Sequence, residues 1–324
     1  MHTRLIRLVA LFTLACAAGL CPAQDTKPDK SAPTKRLIVG FSQVGAESAW
    51  RTAETKSIKD EAAKRNIDLK FSDAQGKQAN QLRAIKSFVA QRVDAIILAP
   101  VVETGWDEAL MEAKKAKIPI ILVDRGVTVD DSTTYATLIA SDFIEEGRMA
   151  AKWLVEKTGG KAVVVELQGT TGAAPALDRQ QGFMEVLSKN RGIRLVKTQS
   201  ADFTRAKGKE VMEAFLKAKG DEITAVYAHN DDMALGAIQA IEEAGKKPGK
   251  DILVVSIDGV RAAFEAMVEG KLNATVECNP LLGPMAFDTI EKIKRGETVP
   301  KFIKQQDKLF DQSTAKDELP KRRY

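Results

Sequence analysis

Short apolar runs alternate with stretches of helical period along almost the whole chain, and few folds accept that alternation. Candidate strands fall at 37–42, 67–72, 95–99, 118–123 and 134–139, then at 162–167, 194–198, 223–228, 252–257 and 274–277. Between them the apolar residues recur every three to four positions. Leu82, Ile85, Phe88 and Val89 form one such face; Met233, Ala237, Ile238 and Ile241 form another, with Gly245 where a helix C-terminal glycine belongs. Strand–helix alternation of this kind means βαβ units. Those build parallel sheets with helices on both faces and right-handed crossovers. Ten strands exceed one compact unit, so the expectation is an α/β protein of two doubly wound lobes. No Pro/Gly/Ser-rich linker divides them, which suggests short strand-like crossings suited to a hinge.

The first 23 residues do not follow this pattern. MHTRLIR carries two Arg and no acid, VALFTLACAAGL is apolar, and CPA precedes Gln24. These are the three regions of a cleaved secretory signal, too short to span a bilayer comfortably. The residues before Cys16 and Cys21 make poor lipid-attachment sequences. The expectation is therefore a signal peptide at 1–23, a polar tether at 24–35 and an exported, soluble mature chain. Cleavage would remove Cys16, Cys21 and His2, leaving Cys278 and His229. That excludes an internal disulfide and a site of several Cys or His metal ligands. It also takes the net charge from +5 to +3. With the basic residues dispersed, nucleic acid is not an expected partner.

Residues 227–238 read YAHNDDMALGAI, placing Asn230, Asp231 and Asp232 at the tip of an apolar run. Helix capping accounts for one or two of the three. Ligands of open parallel sheets bind beyond the carboxyl ends of the strands, so the other tips matter. They carry Glu47, Ser48, Trp50 and Arg51; Asp124 and Arg125; Arg179; Phe203 and Arg205; and Asp258. Acids and amides accept from hydroxyls, arginine forks donate to adjacent oxygens, and aromatic plates cover C–H faces. That set suits a sugar. Each residue also has a plainer reading. Asp124 and Arg125 could pair with each other, Trp50 could be core, Arg179 could lie on a helix surface, Phe203 could staple its helix, and Asp258 could serve a turn. Catalytic signatures are missing from the sequence: no GxGxxG follows a strand, and neither GxxxxGK[ST] nor GxSxG occurs.

The segments VGFSQVGAESAWRTAE, ILVDRG, LDRQQGF, SADFTRAKGKEVME and VYAHNDDMALGAIQAIEEAG resemble the ribose/galactose-type periplasmic sugar-binding proteins of ABC transporters, over roughly 36–312. The resemblance implies a type I periplasmic-binding-protein fold with three crossings, an N-terminal lobe of 36–139 plus 258–305, and a C-terminal lobe of 140–257 plus 306–324. Carried over position by position, it implies ligand contacts at Glu47, Ser48, Ala49, Trp50, Arg51, Asp124, Arg125, Arg179, Phe203, Asn230 and Asp258. Asn230 would face the sugar, Asp231 would start the helix, and Asp232 would be left to solvent. The implied protein is a monomer of the periplasm, without cofactor or enzymatic activity. It would hand a monosaccharide, galactofuranose first, to membrane permease subunits. Other pentoses or hexoses, or a sugar-sensing regulator, are the alternatives.

Overall fold

The computed structural model describes residues 36–324, which form one compact unit. The expected signal and tether lie outside the described residues. Among the described residues, twelve strands form two sheets of six. In chain order they are β1 (Ile38–Gln43), β2 (Asp68–Asp73), β3 (Ala95–Leu98), β4 (Ile120–Val123), β5 (Thr137–Ala140), β6 (Ala162–Gln168), β7 (Ile193–Ser200), β8 (Ala225–Ala228), β9 (Leu253–Asp258), β10 (Ala274–Glu277), β11 (Phe302–Lys304) and β12 (Leu309–Asp311). The first sheet runs β11-β5-β4-β3-β1-β2 and is parallel throughout. The second runs β12-β10-β9-β8-β6-β7, with only the edge strand β12 antiparallel. The central strands β3, β4 and β8 are buried at every position, as sheets covered on both faces require.

The chain crosses between lobes three times: after β5, after β10, and between β11 and β12. The crossings are laced together. Ser141 Oγ donates to Asp307 Oδ1 at 3.0 Å, and Gln305 Nε2 donates to the Asn279 carbonyl at 2.9 Å. The second crossing corrects the boundary expected at 258. Residues past Asp258 stay in the second lobe, because β10 pairs with β9 in parallel and the Arg261–Val268 helix packs on the Gln312–Glu318 helix. The return follows Glu277, after which the Gly283–Lys294 helix packs on the Ala49–Lys64 helix of the first lobe. β11 and β12 went unread in the sequence. Each is three residues long, too short for a period to register.

Candidate ligand-binding cleft

Between the carboxyl ends of the two sheets lies a cleft with about 280 Å³ of atom-free space. The first lobe lines it with Glu47, Ser48, Trp50, Arg51, Asp124 and Arg125, and the second with Pro175, Arg179, Phe203, Asn230 and Asp258. Cys278 stands at the crossing. Of the ligand contacts implied by the resemblance, Ala49 alone stands outside this lining; Arg205, Asp231 and Asp232, also at strand tips, do not line it either.

The first-lobe wall is a network centred on Arg51. Ser48 caps the Ala49–Lys64 helix by accepting from Arg51 N–H at 3.1 Å. The first turn so formed sets Glu47, Arg51 and Glu54 on one face. Arg51 reaches Glu47 (3.0 Å), Glu54 (2.5 Å) and, across from β4, Asp124 (2.6 Å). Each of the three guanidinium nitrogens donates to an acid, so Arg51 shapes the wall. Asp124 takes φ +62°, which turns Arg125 into the cleft. Arg125 Nη1 donates to the Val101 carbonyl at 3.1 Å, while its Nε has no hydrogen-bond acceptor; Asp124 is 3.5 Å away. Burial, followed by repulsion from Arg51, pulls the Arg125 pKa down to about 10. Burial alone would push Glu47 up, but Arg51 and Arg125 outweigh it and hold its carboxyl low. The pairing of Asp124 with Arg125 is thus secondary to that of Asp124 with Arg51.

The second-lobe wall is organised around Arg179. It donates to Glu146 (2.8 Å) and to the His229 carbonyl (2.6 Å), with Asp258 at 3.8 Å. Asp258 ends β9 at φ +130°, a strained backbone for a non-glycine residue. Its burial raises the carboxyl well above the usual range, only partly offset by Arg179. Phe203 also lies at positive φ (+61°), and its ring covers Gly169 so closely that a Cβ there would fall 1.9 Å from the ring. The Arg125 guanidinium faces that ring across the cleft at 5.2 Å. Trp50 is both core and lining: it is 4% exposed, packs with the second lobe's core, and donates through Nε1 to the Cys278 carbonyl at 2.6 Å.

The three polar residues after β8 have three different partners. Asn230 is the cap, accepting from Met233 N–H at 2.9 Å and donating its amide to the Phe203 carbonyl at 3.1 Å; one amide hydrogen is left for the cleft. Asp231 starts the Asp231–Glu243 helix, as expected, and its side chain also ties strand tips together. It accepts from Ser256 Oγ on β9, Thr275 Oγ1 on β10 (2.8 Å) and Val260 N–H (2.8 Å). Asp232, expected in solvent, is 6% exposed and bridges the lobes. It accepts from Ala49 N–H at 2.8 Å and from the Arg205 fork at 2.9 and 3.1 Å. A sequence cannot display that partner, which lies 183 residues away. Glu103 N–H makes a second interlobe bond, to the Gly172 carbonyl at 3.0 Å, so the lobes are closed on one another. Sequence reasoning also missed Pro175 and Cys278. Pro175 sits four residues before Arg179, one helical turn, and that spacing was available to find it.

A model described as the periplasmic binding protein domain matches residues 39–298. The chain belongs to this family. This periplasmic binding protein is 54% identical over 291 residues to galactofuranose-binding protein YtfQ of Escherichia coli (strain K12), an overlap of 89% of the chain and 92% of the relative. The periplasmic component of the arabinose ABC transporter from Shewanella sp. ANA-3, solved with alpha and beta-L-arabinofuranose, is 56% identical at a TM-score of 0.86, covering 88% of this chain and 95% of that one. A Mycobacterium smegmatis structure in complex with beta-D-fucofuranose is 52% identical at a TM-score of 0.86, covering 88% and 94%. The two parallel-dominated lobes are those of the type I periplasmic-binding-protein fold.

Proposed function

We propose that this protein captures a monosaccharide in furanose form, galactofuranose first, and carries it to the permease of an ABC transporter. One observation supports this reading above the others: guanidiniums and carboxylates from both lobes converge on one closed cleft with their charges nearly balanced. Arg51, Arg125 and Arg179 meet Glu47, Asp124 and Asp258 at its surface, with Glu54 and Glu146 behind. Such a lining favours a neutral, hydroxyl-rich ligand over an ion. The buried Arg125 Nε has no hydrogen-bond acceptor in the protein, leaving one donor for a sugar hydroxyl. The furanose form is drawn from the relatives, whose names specify galactofuranose, arabinofuranose and fucofuranose.

The ligand contacts assigned by this reading are Glu47, Ser48, Trp50, Arg51, Asp124, Arg125, Arg179, Phe203, Asn230 and Asp258. Ala49 serves the closed form through its backbone. The sugar enters the open form, and its differential affinity for the closed form drives the lobes together. The cleft acids are engaged by guanidiniums, an arrangement for holding a ligand rather than turning it over. The protein acts as a monomer in the periplasm, without cofactor. Calorimetry with galactofuranose, arabinofuranose and methyl galactopyranoside tests the proposal. Micromolar or tighter affinity, about −8 kcal/mol, is expected for a furanose and none for the pyranoside. Equal affinity for the pyranoside would refute the ring-form assignment, and binding of no monosaccharide would refute the whole reading. Mass spectrometry should recover the sugar unchanged.

A further inference from the structure

Glu47 borders two spaces. Its Oε1 belongs to the arginine cluster of the cleft, 3.0 Å from Arg51 Nε and 3.7 Å from Arg125 Nη2. Its Oε2 is buried without a hydrogen-bond partner. That oxygen points toward the loop after β1, where a Cβ on Gly45 would lie 3.4 Å from it. Gly45 does not line the cleft. It lines a second hollow at the cleft's edge, with about 930 Å³ of atom-free space, part of it open to solvent. Both lobes build this hollow at their strand tips: Gly45 and Glu47 after β1, Gln75 and Gly76 after β2, Thr170 after β6 and Asp202 after β7.

The chemistry of the hollow is one-sided. Glu47, Asp73 and Asp202 border it, and none of its lining residues is Lys or Arg. Acceptors therefore outnumber donors, and an anionic group would be repelled. Hydroxyls suit such a wall, because each can donate to a carboxylate. Val44 and Val101 give it an apolar floor of the kind a sugar's C–H face needs. A ligand filling the cleft would reach this space beside Glu47, whose two oxygens serve the two compartments.

We infer that the hollow is a subsite for a neutral, hydroxyl-rich group linked to the bound furanose, so that the protein accepts furanose-containing disaccharides as well as the free sugar. This rests on the furanose reading above. The test is calorimetry of the wild-type protein with galactofuranose, with two neutral disaccharides joined through its anomeric oxygen or its primary hydroxyl, and with galactofuranose 6-phosphate. At least one disaccharide should bind within tenfold of free galactofuranose, and the phosphate should bind at least tenfold more weakly than that disaccharide. Thr170→Trp, which fills the hollow from the second lobe, should weaken the disaccharide tenfold or more and leave the free sugar within twofold. Free sugar binding while both disaccharides fail overturns the subsite and leaves the furanose reading intact; failure of every sugar overturns both. Phosphate binding as tight as the disaccharide overturns the neutral assignment. Equal loss of both ligands in T170W overturns the location. Should T170W fail to fold, the wild-type titrations still decide.

Discussion

Replacing Asp232 by Ala should loosen sugar binding although Asp232 does not line the cleft. Its carboxylate is 9% exposed and accepts the Ala49 N–H at the positive end of the Ala49–Lys64 helix. A charge-assisted hydrogen bond of this kind contributes about 1.5–3 kcal/mol. Taking about 2 kcal/mol, the loss is roughly 30-fold in apparent Kd. The bond joins the two lobes, so its removal lowers the population of the closed form, and apparent affinity falls with that population. The change should appear as faster dissociation, since the bond exists only once the lobes have met. Asp232→Asn keeps an acceptor and loses the charge, for about 1 kcal/mol or roughly fivefold. Stopped-flow fluorescence has a natural reporter in Trp50 at the cleft wall. A D232A protein with wild-type melting temperature whose Kd and dissociation rate both stay within twofold of wild type would refute the interlobe role.

Other perturbations test other parts of the structure. Arg125→Ala or Asp258→Ala should each cut affinity at least tenfold with the fold intact, since truncating a buried charge pair costs about 2–5 kcal/mol; calorimetry beside a circular-dichroism melt checks both. Gly169→Ala places a Cβ 1.9 Å from the Phe203 ring, so the ring must move; affinity should fall tenfold or more, and a titration unchanged from wild type would exclude ring stacking there. Burial raises the Asp231 carboxyl to about 7 from the ordinary 3.8 of an aspartate. The folded form therefore holds a proton that the unfolded chain releases, and the stabilisation is lost as pH climbs from about 4 to about 7. Thermal melts across that window should show a steeper decline in wild type than in Asp231→Asn, and parallel curves would contradict the shift.

Much of this structure is legible because buried parallel strands are unusually plain in sequence. Runs such as AIIL at β3 and IILV at β4 are apolar at every position and bounded by helical period. The strand tips could be read for the same reason: polar residues directly after such runs have few other uses. What stayed hidden depends on partners distant in the chain. Asp231 is drawn inward by hydroxyls on β9 and β10, and Asp232 by a backbone N–H of the other lobe. Neither spacing nor period encodes those meetings. The lobe boundary at 258 was misplaced because Asp258 lies at the cleft, whereas the crossing occurs one parallel strand later. Ser48 and Arg51 are legible as site residues, but their division of labour is not. Ser48 caps the helix, and Arg51 spends its donors on Glu47, Glu54 and Asp124.

A crystal structure of the protein with galactofuranose addresses the central claim most directly. The ring should lie between Phe203 and Trp50, with hydroxyls on Arg125 Nε, Glu47 and Asp258. A sugar seated elsewhere, or one touching residues of a single lobe in the closed form, would contradict it.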